Sequence, residues 1–175
     1  MRGLFIGRFQ PFHNGHVRAL EWILKRCDEV VIAVGSTQRS FDRTDLFTAG
    51  ERAEMMRRAL EARKLDEKCI IVPVSDINNN ALWVSHLSSL CPEFNVVFSN
   101  NPLVKLLFSE AGVKVIAVPL FEREKCDGTY IRRLMLSGGK WRELVPKEVA
   151  EFIAERKGAD RLKEVSKGDK HGVVA

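Results

Sequence analysis

The segment Glu29-Val30-Val31-Ile32-Ala33-Val34-Gly35 carries only apolar residues between its ends, three of them β-branched valines and one an isoleucine. Such a run is the mark of a strand covered on both faces, as in the interior of a parallel sheet flanked by helices. The rest of the chain alternates to match. Arg2 to Gly7 reads as a first strand, and Val17, Leu20, Ile23 and Leu24 recur at helical spacing within His16 to Arg26. Strands follow at Cys69 to Val74, Asn95 to Ser99 and Lys114 to Pro119. Between them lie helical stretches, and about five strand–helix alternations predict an α/β fold: an open, doubly wound parallel sheet.

Local signals set the helix ends. Thr48 followed by Glu51 is a capping box, opening a helix that runs to about Lys64. The Asn78-Asn79-Asn80 loop leads into a helix over Ala81 to Leu90, and Pro102 suits the first turn of another. A short helix begins at Gly128 and stops near Ser137-Gly138-Gly139; a last one starts after Pro146 and ends at Gly158. Residues 1–158 therefore read as one domain with C-terminal helices, and residues 159–175 as a basic, frayed tail.

Composition narrows the function classes. Hydrophobic residues make up 45% of the 175 and charged residues 29%, the proportions of a globular domain rather than a disordered or fibrous chain. No apolar run approaches the roughly 18 residues of a membrane span, and the first one is too short for a secretory signal. The net charge is +5, but from Arg156 onward six Lys/Arg stand against three Asp/Glu, so the tail supplies most of it. A nearly balanced body does not predict a nucleic-acid partner. Cys27, Cys69, Cys91 and Cys126 form no close pairs, which argues against a zinc ribbon and fits a reducing, cytoplasmic setting.

In doubly wound sheets, ligands bind at the carboxyl ends of the strands. The loop after the first strand reads Gly7-Arg8-Phe9-Gln10-Pro11-Phe12-His13-Asn14-Gly15-His16 and runs into a helix N-terminus, a natural anion site. His13 and His16 can both aim ring nitrogens at one anionic group, and Gly15 permits close approach to the backbone. Arg8 adds a guanidinium fork suited to phosphate. Two histidines also suggest a metal pair, but no third ligand stands nearby, so no protein-held metal is expected. A GxxxxGKS loop and a GxGxxG fingerprint are both missing. Ser137-Gly138-Gly139-Lys140 follows a helix rather than a strand and reads as a helix stop.

The His13-x-Gly15-His16 pattern resembles the H-x-G-H signature of nucleotidyltransferases. The full stretch, GRFQPFHNGH, is similar to that of nicotinamide mononucleotide adenylyltransferases of the archaeal type. Three further segments carry the same resemblance: Phe47 to Arg52; Asp76-Ile77 with Asn80 to Val84; and Gly128 to Arg133, continued by Trp141 and Leu144 to Lys147. Together they span Arg2 to about Leu162. The resemblance implies a Rossmann-like nucleotidyltransferase fold that transfers AMP from ATP to nicotinamide mononucleotide, giving NAD and pyrophosphate. It further implies a homo-oligomer of hexameric type and Mg²⁺ that arrives on the ATP phosphates.

By the same resemblance, His13, His16 and Arg132 serve catalysis. Gly7, Arg8, Phe9, Gln10, Gly15, Asn100 and Thr129 meet ATP, while Ser36, Gln38, Asp76, Asn80 and Trp83 meet the mononucleotide. A substrate phosphate is already mostly dianionic at neutral pH, so no general base is needed. Two departures stand out. Ser99-Asn100-Asn101-Pro102 has Asn100 where the family usually has glycine, adding bulk at a close backbone approach. Asp127 stands where serine is usual, adding negative charge near phosphates. Other H-x-G-H transferases, such as pantetheine-phosphate adenylyltransferases and cytidylyltransferases, are the nearest alternatives; the Trp83 loop and the Gly128 motif argue against them. A nucleotide-sensing or RNA-binding protein that kept the fold is the alternative of another class.

Overall fold

A computed structural model describes residues 1–121 and 126–168. Five strands, β1 (Arg2–Gly7), β2 (Glu29–Val34), β3 (Cys69–Pro73), β4 (Val96–Phe98) and β5 (Val115–Ile116), form one sheet in the order β3-β2-β1-β4-β5. Every neighbouring pair is parallel. The helices are α1 (Asn14–Ile23), α2 (Ala49–Glu61), α3 (Asn80–Leu90), α4 (Pro102–Glu110), α5 (Gly128–Ser137), α6 (Lys147–Glu155) and α7 (Gly158–Gly168). Two 3-10 turns, Asp66–Lys68 and Trp141–Leu144, were not expected from the sequence. No described helix is long and apolar enough to cross a membrane.

The β2 run does what its composition predicts. Val30, Ile32 and Val34 pack into a core that includes α1, α2, α5 and α6, while Val31 and Ala33 face a second core against α3 and α4. Alternate side chains of a strand point to opposite faces, so a strand buried on both must be apolar throughout. The strand order reverses between β1 and β4, and the carboxyl ends of those two strands open the crevice that such sheets use for ligands.

Helix starts follow local chemistry. The Thr48 hydroxyl accepts from Glu51 N–H at 3.1 Å while Thr48 N–H donates to the Glu51 carboxylate at 3.0 Å, the expected reciprocal cap of α2. Asn101 caps α4 with Pro102 in the first turn. Gly138 ends α5 at φ 73°, a left-handed position open to glycine, so Ser137-Gly138-Gly139 is the helix stop that its context predicts. β5 is shorter than expected: the ladder ends at Ile116 rather than Pro119. The helix before β2 starts two residues earlier than its apolar period suggests, because His13 caps it.

The chain beyond residue 158 departs from the reading of a frayed tail: residues through 168 form α7. Sequence hydropathy under-weights this helix because its exposed face is charged, yet Leu162 is fully buried where α7 packs on α5 and α6. Arg161 donates to both oxygens of Glu51 at 2.8 Å and lies 4.7 Å over the Phe41 ring, tying α7 to the α2 N-terminus and to the loop after β2. Burial pushes the Glu51 carboxyl up, but Arg161 and Thr48 N–H outweigh it and hold it below its ordinary value of 4.5. That contribution to stability is present above about pH 4.5 and fades as acid protonates Glu51. Leu162→Ala should lower unfolding free energy by about 2–5 kcal/mol and Arg161→Ala by about 1.5–3 kcal/mol, read from urea midpoints. Unchanged midpoints in both would show that α7 does not dock.

Candidate active site

Two cavities meet at the reversal point. One, about 250 Å³, lies between the His13–His16 segment and the chain after β4 and β5, from Ser99 to Asn101 and from Val118 to Phe121. The other, about 310 Å³, lies over the carboxyl ends of β1 and β2, with Gly7, Arg8, Ser36, Asp76 and Trp83 in its lining. Ile6, Ser99 and Asn101 line both, so the two spaces adjoin across the gap between β1 and β4.

The histidines are held by one another. His16 N–H donates to Nδ1 of His13 at 3.3 Å, and His13 N–H donates to Nδ1 of His16 at 3.2 Å. The pair is a capping box built from two imidazoles in place of a hydroxyl and a carboxylate. Their rings stack with centroids 3.5 Å apart, and His16 also packs against Phe12 and the edge of Phe9. Because each Nδ1 accepts a backbone N–H, a neutral ring carries its proton on Nε2. Burial lowers the His13 pKa to about 4 against the opposing pull of Asp127. Burial and the His13 charge hold His16 well below its ordinary 6.5. Both rings are therefore neutral Nε2–H donors at pH 7, suited to anionic oxygens without proton exchange.

In the second cavity Ser36 donates from Oγ to Asp76 at 2.6 Å, and Asp76 N–H donates to the Gln38 side chain at 3.1 Å. Trp83 meets Phe108 edge-on at 5.8 Å, so its ring joins the core beneath while it also lines the cavity. Arg8 approaches the buried carboxylate of Asp45 at 3.4 Å, and Arg39 reaches the same carboxylate at 3.2 Å. Two half-exposed guanidiniums thus converge on one buried anchor, and of the two Arg8 lines the cavity.

The remaining sequence candidates are placed differently. Gly15 does line the histidine cavity, and a Cβ there would come within 2.8 Å of Cys126 and 3.1 Å of the His13 ring. Phe9 is buried against Phe5, Phe12 and His16 and lines neither cavity. The Gln10 side chain is spent on the backbone of Phe47, at 2.9 Å in each direction. Arg132 is buried, donating to the carbonyls of Gln10 at 2.5 Å and Arg43 at 2.8 Å and lying 3.4 Å from the Thr129 hydroxyl. Asn80 sits exposed in the first turn of α3, outside both linings, and Asn79 is the cap. Asp127 caps α5 by accepting from Tyr130 N–H at 2.9 Å, doing the work of a serine at that position. Among the described residues no group of three or more His, Cys, Asp or Glu is arranged around a common centre.

Sequence reasoning missed Arg52. Its fully buried guanidinium donates to the carbonyls of Arg8 at 2.8 Å, Gly35 at 2.7 Å and Ser36 at 3.1 Å, and its Nε to Thr48 O at 3.3 Å. Those loops follow β1 and β2 and carry left-handed, non-glycine backbone at Phe9 (φ 53°) and Ser36 (φ 54°). Such conformations persist where surroundings over-determine them. An arginine on the apolar face of a capped helix is the signal that was available.

A family model described as cytidylyltransferase-like matches residues 4–134. A protein of Methanothrix thermoacetophila named nicotinamide-nucleotide adenylyltransferase is 52% identical over 96% of this chain and 98% of its own. The chain belongs to this family of nucleotidyltransferases. A Saccharolobus solfataricus protein of the same name is 49% identical, covering 97% of this chain and 99% of its own, and a Pyrococcus horikoshii one is 48% identical over 95% and 89%. Among solved structures, a bifunctional NMN adenylyltransferase/ADP ribose pyrophosphatase from Francisella tularensis, complexed with AMP and a manganese ion, superposes with a TM-score of 0.75 at 19% identity. It matches 93% of this chain, which spans about half (52%) of that longer protein, and the likeness supports the fold.

Neutral, buried histidines make stability pH-dependent. The unfolded chain binds a proton at His13 near pH 6.5 and the folded chain only near 4, so stability is full above about pH 6.5 and falls as pH drops toward 4. His13→Asn keeps a good cap and removes that titration, so its urea midpoint should vary less between pH 7 and pH 4.5 than that of the native chain. Parallel curves would contradict the neutral assignment.

Proposed function

We propose that the chain transfers AMP from ATP to nicotinamide mononucleotide, releasing NAD and pyrophosphate. The observation that carries this reading is the pair of adjoining cavities: one walled by two Nε2–H donors, the other by a tryptophan and an arginine. A 5′-phosphate in the second can face the α-phosphorus of a triphosphate in the first across Ile6, Ser99 and Asn101. Its oxygen forms a P–O bond to that phosphorus while the bond to the bridging oxygen of pyrophosphate breaks. No covalent enzyme intermediate intervenes and no proton must be removed, because the phosphate is already anionic at neutral pH.

Catalysis is then positioning and charge stabilisation. His13 and His16 donate Nε2–H to phosphate oxygens as charge builds. Arg8, held at the rim by Asp45, neutralises phosphate. Arg132 and Thr129 stand ready at the start of α5; Arg132 reaches the leaving pyrophosphate by exchanging the Arg43 carbonyl for it. Trp83 offers its face to the cationic nicotinamide ring, with Ser36, Asp76 and Gln38 ordering the ribose side. The donors around the histidine cavity suit anions rather than a cation, so Mg²⁺ would be carried by the ATP phosphates and would supply charge shielding there. The reaction takes place in the cytoplasm. Leu82, Leu90, Leu103 and Leu106 are exposed on α3 and α4, which supports assembly into a homo-oligomer such as a hexamer.

The deciding experiment couples NAD formation from ATP, Mg²⁺ and nicotinamide mononucleotide to its reduction to NADH. His16→Ala should lower kcat by about 10²–10³, the scale of one lost preorganised donor, and near-normal turnover would remove His16 from the chemistry. Trp83→Ala should raise KM for the mononucleotide more than KM for ATP; KM values unchanged from the native chain would rule out stacking. No NAD from folded, ATP-binding protein would point to another phosphate acceptor.

A further inference from the structure

The histidine cavity is lined by the donors His13 and His16 and also by an apolar run, Val118, Pro119, Leu120 and Phe121. The apolar wall follows β5 but is not part of the sheet, since β4 and β5 pair only at Val97–Val115 and Phe98–Ile116. Ser99 N–H still donates to Ile116 O at 3.1 Å. One step further on, the pairing is made by a side chain. Asn100 Nδ2 donates to Val118 O at 2.6 Å, and Val118 N–H donates to Asn100 Oδ1 at 3.1 Å. The carboxamide stands in for a peptide group and carries the β4–β5 ladder two residues past its backbone end.

One donor and one acceptor of that amide are committed to Val118, which holds its plane in the line of the ladder. We propose that Asn100 is a positioning and specificity-determining residue: by clamping Val118 it fixes the wall against which the nucleobase of the triphosphate lies. The inference rests on the adenylyl-transfer reading for the identity of the triphosphate. With the phosphates drawn to the Nε2–H donors, the flat base is left to meet the apolar run from Val118 to Phe121. A wall held in one place admits one base shape; a wall free to shift tolerates others. The unexpected asparagine, which sequence reasoning treats as extra bulk, is here the tie that sets the width of the cavity.

The test compares the native chain with Asn100→Asp, Asn100→Ala and Asn100→Gly. The aspartate keeps the acceptor for Val118 N–H but sets an oxygen against Val118 O; the other two remove the clamp with no bulk added. Steady-state kinetics with ATP, GTP and nicotinamide mononucleotide should show KM for ATP raised about tenfold, the scale of one lost hydrogen bond with its partner left unpaired. KM for the mononucleotide should stay within about twofold by the same scale, and the ATP-over-GTP ratio of kcat/KM should fall. Unchanged base preference, or equal shifts in both KM values, would overturn the role. A native chain that makes no NAD would defeat the reaction instead, and calorimetric Kd values for ATP and GTP would then decide Asn100 by the same ratio. Circular dichroism identifies any variant that fails to fold, and the other two substitutions then decide the question.

Discussion

The site depends on a charge that never meets solvent. Arg52 rises from α2 and places its guanidinium among the carbonyls of Arg8, Gly35, Ser36 and Thr48. The two connections involved leave the sheet at β1 and β2, and both turn through backbone conformations that side-chain-bearing residues rarely adopt. Burial disfavours the Arg52 charge, with Asp45 opposing that effect. Carbonyl dipoles alone would leave an isolated cation expensive there, and Asp45, which also receives Arg8 and Arg39, supplies the counter-charge. One buried ion and its partner thus locate together the backbone of one cavity and the Arg8 guanidinium that lines it.

Much of the architecture is legible in the sequence because it follows from local or binary patterns. The β2 run must be buried on both faces, so helices must cover both, and parallel order follows. Thr48–Glu51, Pro102 and Gly138 are local signals read by the same rules in chain and structure. What the sequence hid are features made by distant residues. α7 is held by Leu162 in a core assembled from α2, α5 and α6 and by Arg161 on Glu51, neither of which a hydropathy window detects. β5 ends early because the partner of Val118 is a side chain from the loop after β4, that of Asn100.

The candidate site divides along the same line. His13, His16, Arg8, Ser36, Asp76 and Trp83 come together where the motif order and the carboxyl-end rule place them. Phe9 and Gln10 belong to the same motif but face inward, as the packing and latch that give the loop its shape. Motif membership therefore marks a segment without telling which side chains look out. Asp127 shows the converse: its charge reads as a liability near phosphates, yet the fold uses its oxygen as a helix cap.

The reciprocal cap of α1 has a consequence for ancestry. Ordinarily a pair of catalytic side chains drifts away once selection for turnover relaxes, and its persistence testifies to activity. Here the imidazoles also satisfy the first orphan amides of a helix packed on the sheet, so a descendant that had lost the reaction would still be under pressure to keep both. The two histidines are thus part of the fold in their own right, as the cap of α1. Retention of Arg8 and the tryptophan, which close no helix, is the better witness to a working enzyme.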